Sequence, residues 1–457
     1  MVRALFAPFR QRLSGDGFGA RAFRGSILTA ISFGGENVLR LAGNLVLTRI
    51  LFPEAFGLMA LVMTVIQGLA MFSDVGVTPA ILQSKRGDDR DFLNTAWTIQ
   101  AIRGAGLWVV ACLLAWPLSI FYDAPLLAQM LPVAGITLLI QGFNPTALDT
   151  ANRHLKLGRV SAIEVGVQIV GIASAIFLAW LWGTVWALVA SGIISQCTHY
   201  LMLRFLLPRS DNRFRWEKAA ADELMTFGRW IFLSTICGFF YTQGDKIILG
   251  RWLPIDTFGI YNIAYFLASV PLLLGGVVVR KVLIPVYRDA PPSESQENFL
   301  RLRRARWGVS LILLALMTFA SLLGVWAVEL LYDPRYGLAG PVIVLLALMQ
   351  LPQIIVLTYD QAVLASGDSR SYFGIALARA AVTVICLVAG LELLGLFGAI
   401  LAQGAAGVLT YPFVARAARR VGAWDATHDL GAALCGLGLV AFALWWNWAA
   451  VLALAAG

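Results

Sequence analysis

The stretch Thr48-Arg-Ile-Leu-Phe-Pro-Glu-Ala-Phe-Gly-Leu58 returns, 202 positions further on, as Gly250-Arg-Trp-Leu-Pro-Ile-Asp-Thr-Phe-Gly-Ile260. Arg49 falls on Arg251, Leu51 on Leu253, Glu54 on Asp256, Phe56 on Phe258 and Gly57 on Gly259. Each copy joins a long first apolar run to a second one. The whole chain is 59% hydrophobic and only 13% charged, against about 25% charged in an ordinary soluble domain. Helices of that composition are apolar on every face and need lipid around them. At roughly 20 apolar residues per crossing, 457 residues leave room for a dozen spans or slightly more.

Apolar runs bounded by charge or turn residues predict spans near 26–51, 56–83, 92–118, 126–148, 158–182 and 184–206. A second set follows near 224–250, 257–286, 305–328, 339–364, 371–392 and 394–416. The run 430–446 is long enough to span, and 447–457 alone is too short, so a partial or truncated fourteenth helix is expected. Six spans precede the second copy of the repeat, which makes the repeat parallel. Parallel repeats are a transporter architecture with the pathway between the halves. The expected fold is an all-α polytopic membrane protein of two parallel six-helix lobes plus a C-terminal extra helix or partial hairpin. Its parts are a basic interfacial segment (1–24), an N-lobe (25–206), an interlobe loop (207–222), a C-lobe (223–416) and a C-terminal region (417–457).

Orientation follows from the 35 Lys and Arg residues. With the N-terminus inside, 27 of them fall in cytoplasmic segments and three (Arg49, Arg251, Arg335) at external ends. The net charge of +9 is therefore a topology signal, and no nucleic-acid partner is expected. The N-terminal residues show no signal-peptide pattern; arginines alternating with Leu5, Phe6, Phe9, Leu13 and Phe18 suit either a segment on the anionic inner leaflet or a basic tail. Cys112, Cys197, Cys237, Cys386 and Cys435 lie scattered in apolar runs, and His154, His199 and His428 form no cluster. No disulfide, metal site, cofactor or catalytic residue is expected from them.

The remaining five bases, Arg40, Arg103, Arg229, Lys246 and Arg379, lie inside predicted spans. A charge at membrane depth costs several kcal/mol, so it faces a wet cavity or a partner. Glu36, Arg40, Gly43 and Asn44 share one face of the first helix by their i, i+4, i+7, i+8 spacing. Tyr241, Asp245 and Lys246 mark the seventh, and the repeat lays Lys246 on Asn44. Glu36, Arg40, Asn44, Asp245, Lys246 and Arg379 are the candidate cavity set. Asp74, Arg49, Arg251, Arg280 and Lys281 are candidates for headgroup contact or gating. Two plainer readings stand beside these: Glu36–Arg40 and Asp245–Lys246 as neutralised pairs that lock helices, and Arg103 and Arg229 as snorkelling side chains. The run from Arg301 to Arg306 reads mostly as topological charge.

Thr48 to Gly57, Phe72-Ser-Asp-Val-Gly-Val-Thr-Pro-Ala-Ile-Leu-Gln83, Asp245-Lys-Ile-Ile-Leu-Gly-Arg251 and Ile284-Pro-Val-Tyr287 together resemble a known family. It is the O-antigen and exopolysaccharide repeat-unit (Wzx-type) flippases of the multidrug/oligosaccharidyl-lipid/polysaccharide exporter superfamily. The resemblance runs from about residue 24 to 420. It implies two six-helix lobes in a V around a central cationic cavity, in the bacterial inner membrane. The implied substrate is an undecaprenyl-pyrophosphate-linked oligosaccharide, whose headgroup Arg40 and Lys246 suit. Anionic membrane lipids and a polysaccharide polymerase or export machinery are the other expected partners. Competing readings are a drug or metabolite antiporter of the same superfamily and a lipid II flippase. A membrane-bound glycosyltransferase is disfavoured because no external loop is long enough for its acidic catalytic residues.

Overall fold

The computed structural model describes the backbone of residues 18–73, 76–208, 212–289, 291–365 and 369–455. Side chains are described from residue 31 onward, apart from 226–234, 360–372 and most of 278–290. Among the described residues every regular element is a helix. In chain order they are α1 (Phe18–Ile50), α2 (Pro53–Phe72), α3 (Val77–Gln83), α4 (Arg90–Phe121), α5 (Leu127–Gly142), α6 (Ala147–Arg153), α7 (Leu157–Trp182) and α8 (Trp186–Leu206). There follow α9 (Lys218–Trp252), α10 (Ile255–Asp289), α11 (Gln296–Leu331), α12 (Ala339–Met349), α13 (Leu351–Ala365), α14 (Ser369–Arg420), α15 (Ala426–Trp446) and α16 (Trp448–Ala455).

Seven of these helices are long and apolar enough to cross a membrane, or up to nine when two bent pairs each count as one span. Only 17–44% of their apolar windows is buried within the protein, so most of that surface must face hydrocarbon. Trp116, Trp180, Phe205 and Leu393 point outward accordingly. The expected span 56–83 is interrupted after Phe72, and α3 starts afresh behind Gly76 at φ 66°. The expected span 126–148 bends by 57° between α5 and α6, and 339–364 bends by 41° between α12 and α13. The predicted boundary between 392 and 394 appears inside α14, where Leu394 and Gly395 leave helical geometry. Gly395 takes φ 57°, open to glycine at no steric cost.

The chain divides into two compact units, 1–50 with 65–232 and 51–64 with 233–457. In the first, α4 packs on α5, α7 on α8 and α1 on α7. Gly104 faces Gly142, and Gly135 faces Ala111, so α4 and α5 run antiparallel with their backbones in close approach. Without a hydrophobic drive between helices in lipid, such small-residue contacts supply the van der Waals energy of association.

In the second unit α10 packs on α11, α12 and α13, and α14 closes on α12 and α13. The turn of α2 that belongs here rests on α10. A Cβ at Gly57 would collide with the Ile255 carbonyl, and one at Gly259 with the Pro53 carbonyl. The same Cβ at Gly259 would lie 2.9 Å from the Gly57 amide nitrogen. Gly57 and Gly259 are partners under the 202-residue repeat, and so are Pro53 and Ile255. The two copies therefore touch reciprocally, as a local pseudo-two-fold axis requires. Tyr336 reinforces this corner by donating its hydroxyl to the Leu51 carbonyl at 2.9 Å.

Candidate functional site

The second unit gathers its membrane-depth polar groups where α9, α10 and α14 meet. Asp245 is buried on α9, and Tyr261 of α10 donates its hydroxyl to Asp245 Oδ2 at 2.7 Å. Gln403 of α14 donates Nε2 to the Tyr261 hydroxyl at 2.8 Å. Lys246 Nζ stands 3.7 Å from Asp245 Oδ1 and 4.4 Å from the centre of the Tyr265 ring. Arg379, buried on α14, lies 5.7 Å over the Tyr241 ring. A relay of donors thus runs from Gln403 through Tyr261 to Asp245, with Lys246 as its loose outer member. Tyr241, Asp245, Tyr265, Thr383 and Gln403 line a cavity of about 40 Å3. That is room for water but not for a saccharide phosphate.

The first unit places Glu36, Asn37, Arg40 and Asn44 along α1. Gly43 packs against Ile172 of α7, and Glu36 interacts electrostatically with Glu164 of that helix. Because both contacts keep nearly the same offset, α1 and α7 run parallel, with the two carboxyls at one level. Glu36 Oε1 is buried without a hydrogen-bond partner among the described residues, whereas Arg40 is exposed. Asn37 is turned back on its own helix, donating to the Phe33 carbonyl at 2.8 Å.

Of the remaining candidates, Arg49 and Arg251 are exposed at the ends of α1 and α9. Asp74 and the side chains of Arg280 and Lys281 lie outside the described residues, as does most of the 1–24 segment. Arg103 does not snorkel: it reaches Ser73 Oγ at 2.8 Å and the Ala70 carbonyl, holding α4 to the end of α2.

One buried network escaped the sequence reading. Arg306 is fully buried, not a topological loop charge. Its guanidinium donates to Asp429 Oδ1 at 3.0 Å and Thr358 Oγ1 at 3.1 Å and stacks 3.8 Å over Tyr359. Tyr359 and Tyr411 each donate to Asp429 Oδ2 at 2.7 Å. His428 bridges Asp429 at 2.9 Å and Ser310 at 3.0 Å. Beside it Arg303 forks onto Asp425 at 2.6 and 3.0 Å. Burial pushes the Asp425 carboxyl up, but the bonds from Arg303, Thr427 and the His428 amide outweigh it, leaving it below the ordinary range. The network fastens α15 to α11, α13 and α14. Its signal was Arg303 and Arg306 at i, i+3 opposite Asp425 and Asp429 at i, i+4.

A many-span bundle of helices with ionisable groups held at membrane depth is the construction of a membrane transporter, and comparison with known proteins narrows it. The chain belongs to the polysaccharide biosynthesis protein family, whose sequence model matches residues 46–338. It is 26% identical over 311 residues to the succinoglycan biosynthesis transport protein ExoT of Rhizobium meliloti (strain 1021), covering 66% of this chain and 61% of that one. It is 22% identical over 338 residues to the lipopolysaccharide biosynthesis protein WzxC of Escherichia coli (strain K12), covering 71% and 65%. These matches thus span less than two thirds of the relatives' own length. Among solved structures, the inward closed lipid II flippase MurJ superposes with a TM-score of 0.72 at 14% identity, over 94% of this chain and 98% of that one. An inward-facing MATE multidrug transporter gives 0.64 at 13% identity, over 85% and 95%. At such identities the likeness establishes the MATE/MurJ-like polytopic fold and says nothing of cargo.

Proposed function

We propose that this chain carries pyrophosphate-linked, polyprenol-bound saccharide repeat units across the bacterial inner membrane by alternating access, with its N-terminus in the cytoplasm. The chain acts as a carrier and performs no bond chemistry; a polysaccharide polymerase is the natural consumer of what it delivers. The observation that carries the reading is the state of Lys246. A good charge-assisted hydrogen bond measures about 2.7–2.9 Å, whereas Lys246 Nζ stands 3.7 Å from Asp245. Asp245 keeps the Tyr261 hydroxyl when Lys246 leaves. A base so loosely paired exchanges its carboxylate for a phosphate once the cavity beside it, about 40 Å3 here, widens in the transport cycle. Arg40 adds a second, exposed base on the first helix of the other unit. The excess of Lys and Arg in the segments assigned to the cytoplasm supports the orientation.

The test is a strain whose surface polysaccharide depends on this gene, carrying Arg40→Gln with Lys246→Gln. Surface polysaccharide disappears while the protein still inserts at its normal level, and Lys246→Arg restores part of it. Normal polysaccharide in the double variant refutes the assignment. Drug resistance that falls with the gene, with polysaccharide untouched, transfers the protein to the antiporter class.

A further inference from the structure

Asp245 and Lys246 are sequence neighbours on α9, and opposite charges so placed attract strongly where water is scarce. Asp245 is 6% exposed and the Lys246 side chain 15%. Yet the ammonium stops 3.7 Å from Oδ1, outside hydrogen-bond range. The next helix holds the two apart. After residues 253 and 254 the chain turns back as α10, which brings Tyr261 and Tyr265 to this level. The two tyrosines lie one helical turn apart, with ring centres separated by 5.9 Å. Tyr261 gives its hydroxyl to Asp245 Oδ2 at 2.7 Å, and the Tyr265 ring lies 4.4 Å from the Lys246 ammonium. One tyrosine takes the acid and the other takes the base.

A phenol has one proton to give, so its direction decides what Asp245 receives. A carboxylate only accepts, so the Tyr261 proton must point at it, and the Tyr261 oxygen is left to accept from elsewhere. Gln403 Nε2 fills that place at 2.8 Å. Tyr261 is fully buried and Gln403 is 9% exposed, so little water competes for either bond. On the other side, the negative face of the Tyr265 ring draws the ammonium toward itself. None of these three side chains needs to touch cargo in order to act, because each sets where a charged neighbour stands.

We propose that Tyr261, oriented by Gln403, and Tyr265 are positioning residues that hold the Asp245 carboxylate and the Lys246 ammonium apart. The separation keeps Lys246 open to the cargo phosphate; that consequence rests on the transport reading above, whereas the separation itself does not.

The test labels the full chain in neutral maltoside detergent with trace acetic anhydride at fixed pH. Labelling of the Lys246 peptide is read by mass against that of the exposed Lys85. Acylation takes the neutral amine, and a carboxylate in contact favours the ammonium. Tyr261→Phe releases the carboxylate to take the ammonium, and Lys246 labelling falls about tenfold. Adding Asp245→Asn removes the competitor and brings the rate back, whereas a merely structural loss persists. Tyr265→Leu slows labelling about fivefold, and Tyr265→Phe, which keeps the ring, regains that loss. Gln403→Leu slows labelling in the same direction as Tyr261→Phe, and it carries the Asp245→Asn comparison where Tyr261→Phe does not insert. In cells, Tyr261→Phe lowers surface polysaccharide and the added Asp245→Asn raises it again. An unchanged labelling rate in Tyr261→Phe and Gln403→Leu, or a slow rate that Asp245→Asn does not relieve, overturns the proposal. Labelling that follows the expected pattern while polysaccharide is indifferent to Lys246→Gln upholds the separation and counts against the transport reading alone.

Discussion

Replacing Gly57 by alanine tests the reciprocal contact between the two repeat copies. The added methyl meets the Ile255 carbonyl well inside van der Waals contact and the Ile255 Cγ2 at 2.9 Å. Backbone cannot rotate aside as a side chain can, so α2 and α10 must move apart or bend. Overpacking of this kind costs about 1–3 kcal/mol. Taking ~2 kcal/mol in a unit of this size, the melting temperature falls by about 5 °C. Gly259→Ala should act alike, because its methyl meets the Pro53 carbonyl. The double variant should cost less than the sum, since one separation of the helices relieves both collisions. Gly106→Ala on α4 is the control: nothing lies within 4 Å of its would-be Cβ, so helix propensity alone makes it neutral or up to about 1 kcal/mol stabilising. Scanning fluorimetry of the four variants beside the unaltered protein in one detergent decides. Gly57→Ala as stable as the Gly106 variant, or strict additivity at 57 and 259, refutes the reasoning.

Arg306→Ala leaves the Asp429 charge buried without its cation, a loss of about 3–5 kcal/mol, visible as aggregated material on size-exclusion chromatography; Arg306→Lys recovers little, because one ammonium cannot reach Asp429, Thr358 and the Ala423 carbonyl together. Thr95→Val with Thr98→Val removes the acceptors of the Glu217 and Arg215 amides, at 3.1 and 3.0 Å. At about 1 kcal/mol per bond, trypsin should cut after Arg213 and Arg215 roughly 30-fold faster, read by intact mass. Hydrogen bonds to Asp88 from His154 and to Asp89 from Arg86 depress both carboxyls below their ordinary value of 3.8, as Arg303 and its neighbours do for Asp425. A depressed folded pKa contributes stability above the unfolded value and loses it as pH falls through the folded one. Melting temperature should therefore be level above about pH 5 and drop below about pH 4; Asp88→Asn should flatten part of that drop.

Most of the architecture was legible because span length and apolarity are properties of contiguous sequence. The expected 158–182 and 184–206 match α7 and α8 to within two residues. What escaped was contact between distant segments. The end of α2 is held by Arg103, thirty residues beyond Ser73, which donates to the Ala70 carbonyl and the Ser73 hydroxyl. Arg306 looked like one more loop base because its four neighbours in the network are 52 to 123 residues away. Asp245 and Lys246 were legible as an adjacent pair at membrane depth. That the pair is loose, and that Tyr261, itself held by Gln403, binds its carboxylate, required the packing of α9, α10 and α14. The run 212–217 read as a hydrophilic loop, yet its alternate amides 213, 215 and 217 bind Asn94, Thr98 and Thr95 of α4.

The reciprocal meeting of Gly57 with Gly259 bears on how such a chain is assembled. A surface that pairs with its own copy is the interface of a two-fold dimer, carried here within one polypeptide. It needs just one solution to the packing problem, used twice, and a glycine that serves one partner serves the other. Fusion then lets the two copies diverge everywhere except where they touch: Pro53 and Ile255 differ in side chain but contribute the same carbonyl. A gene divided within 209–211 would accordingly express two fragments that already possess matching faces.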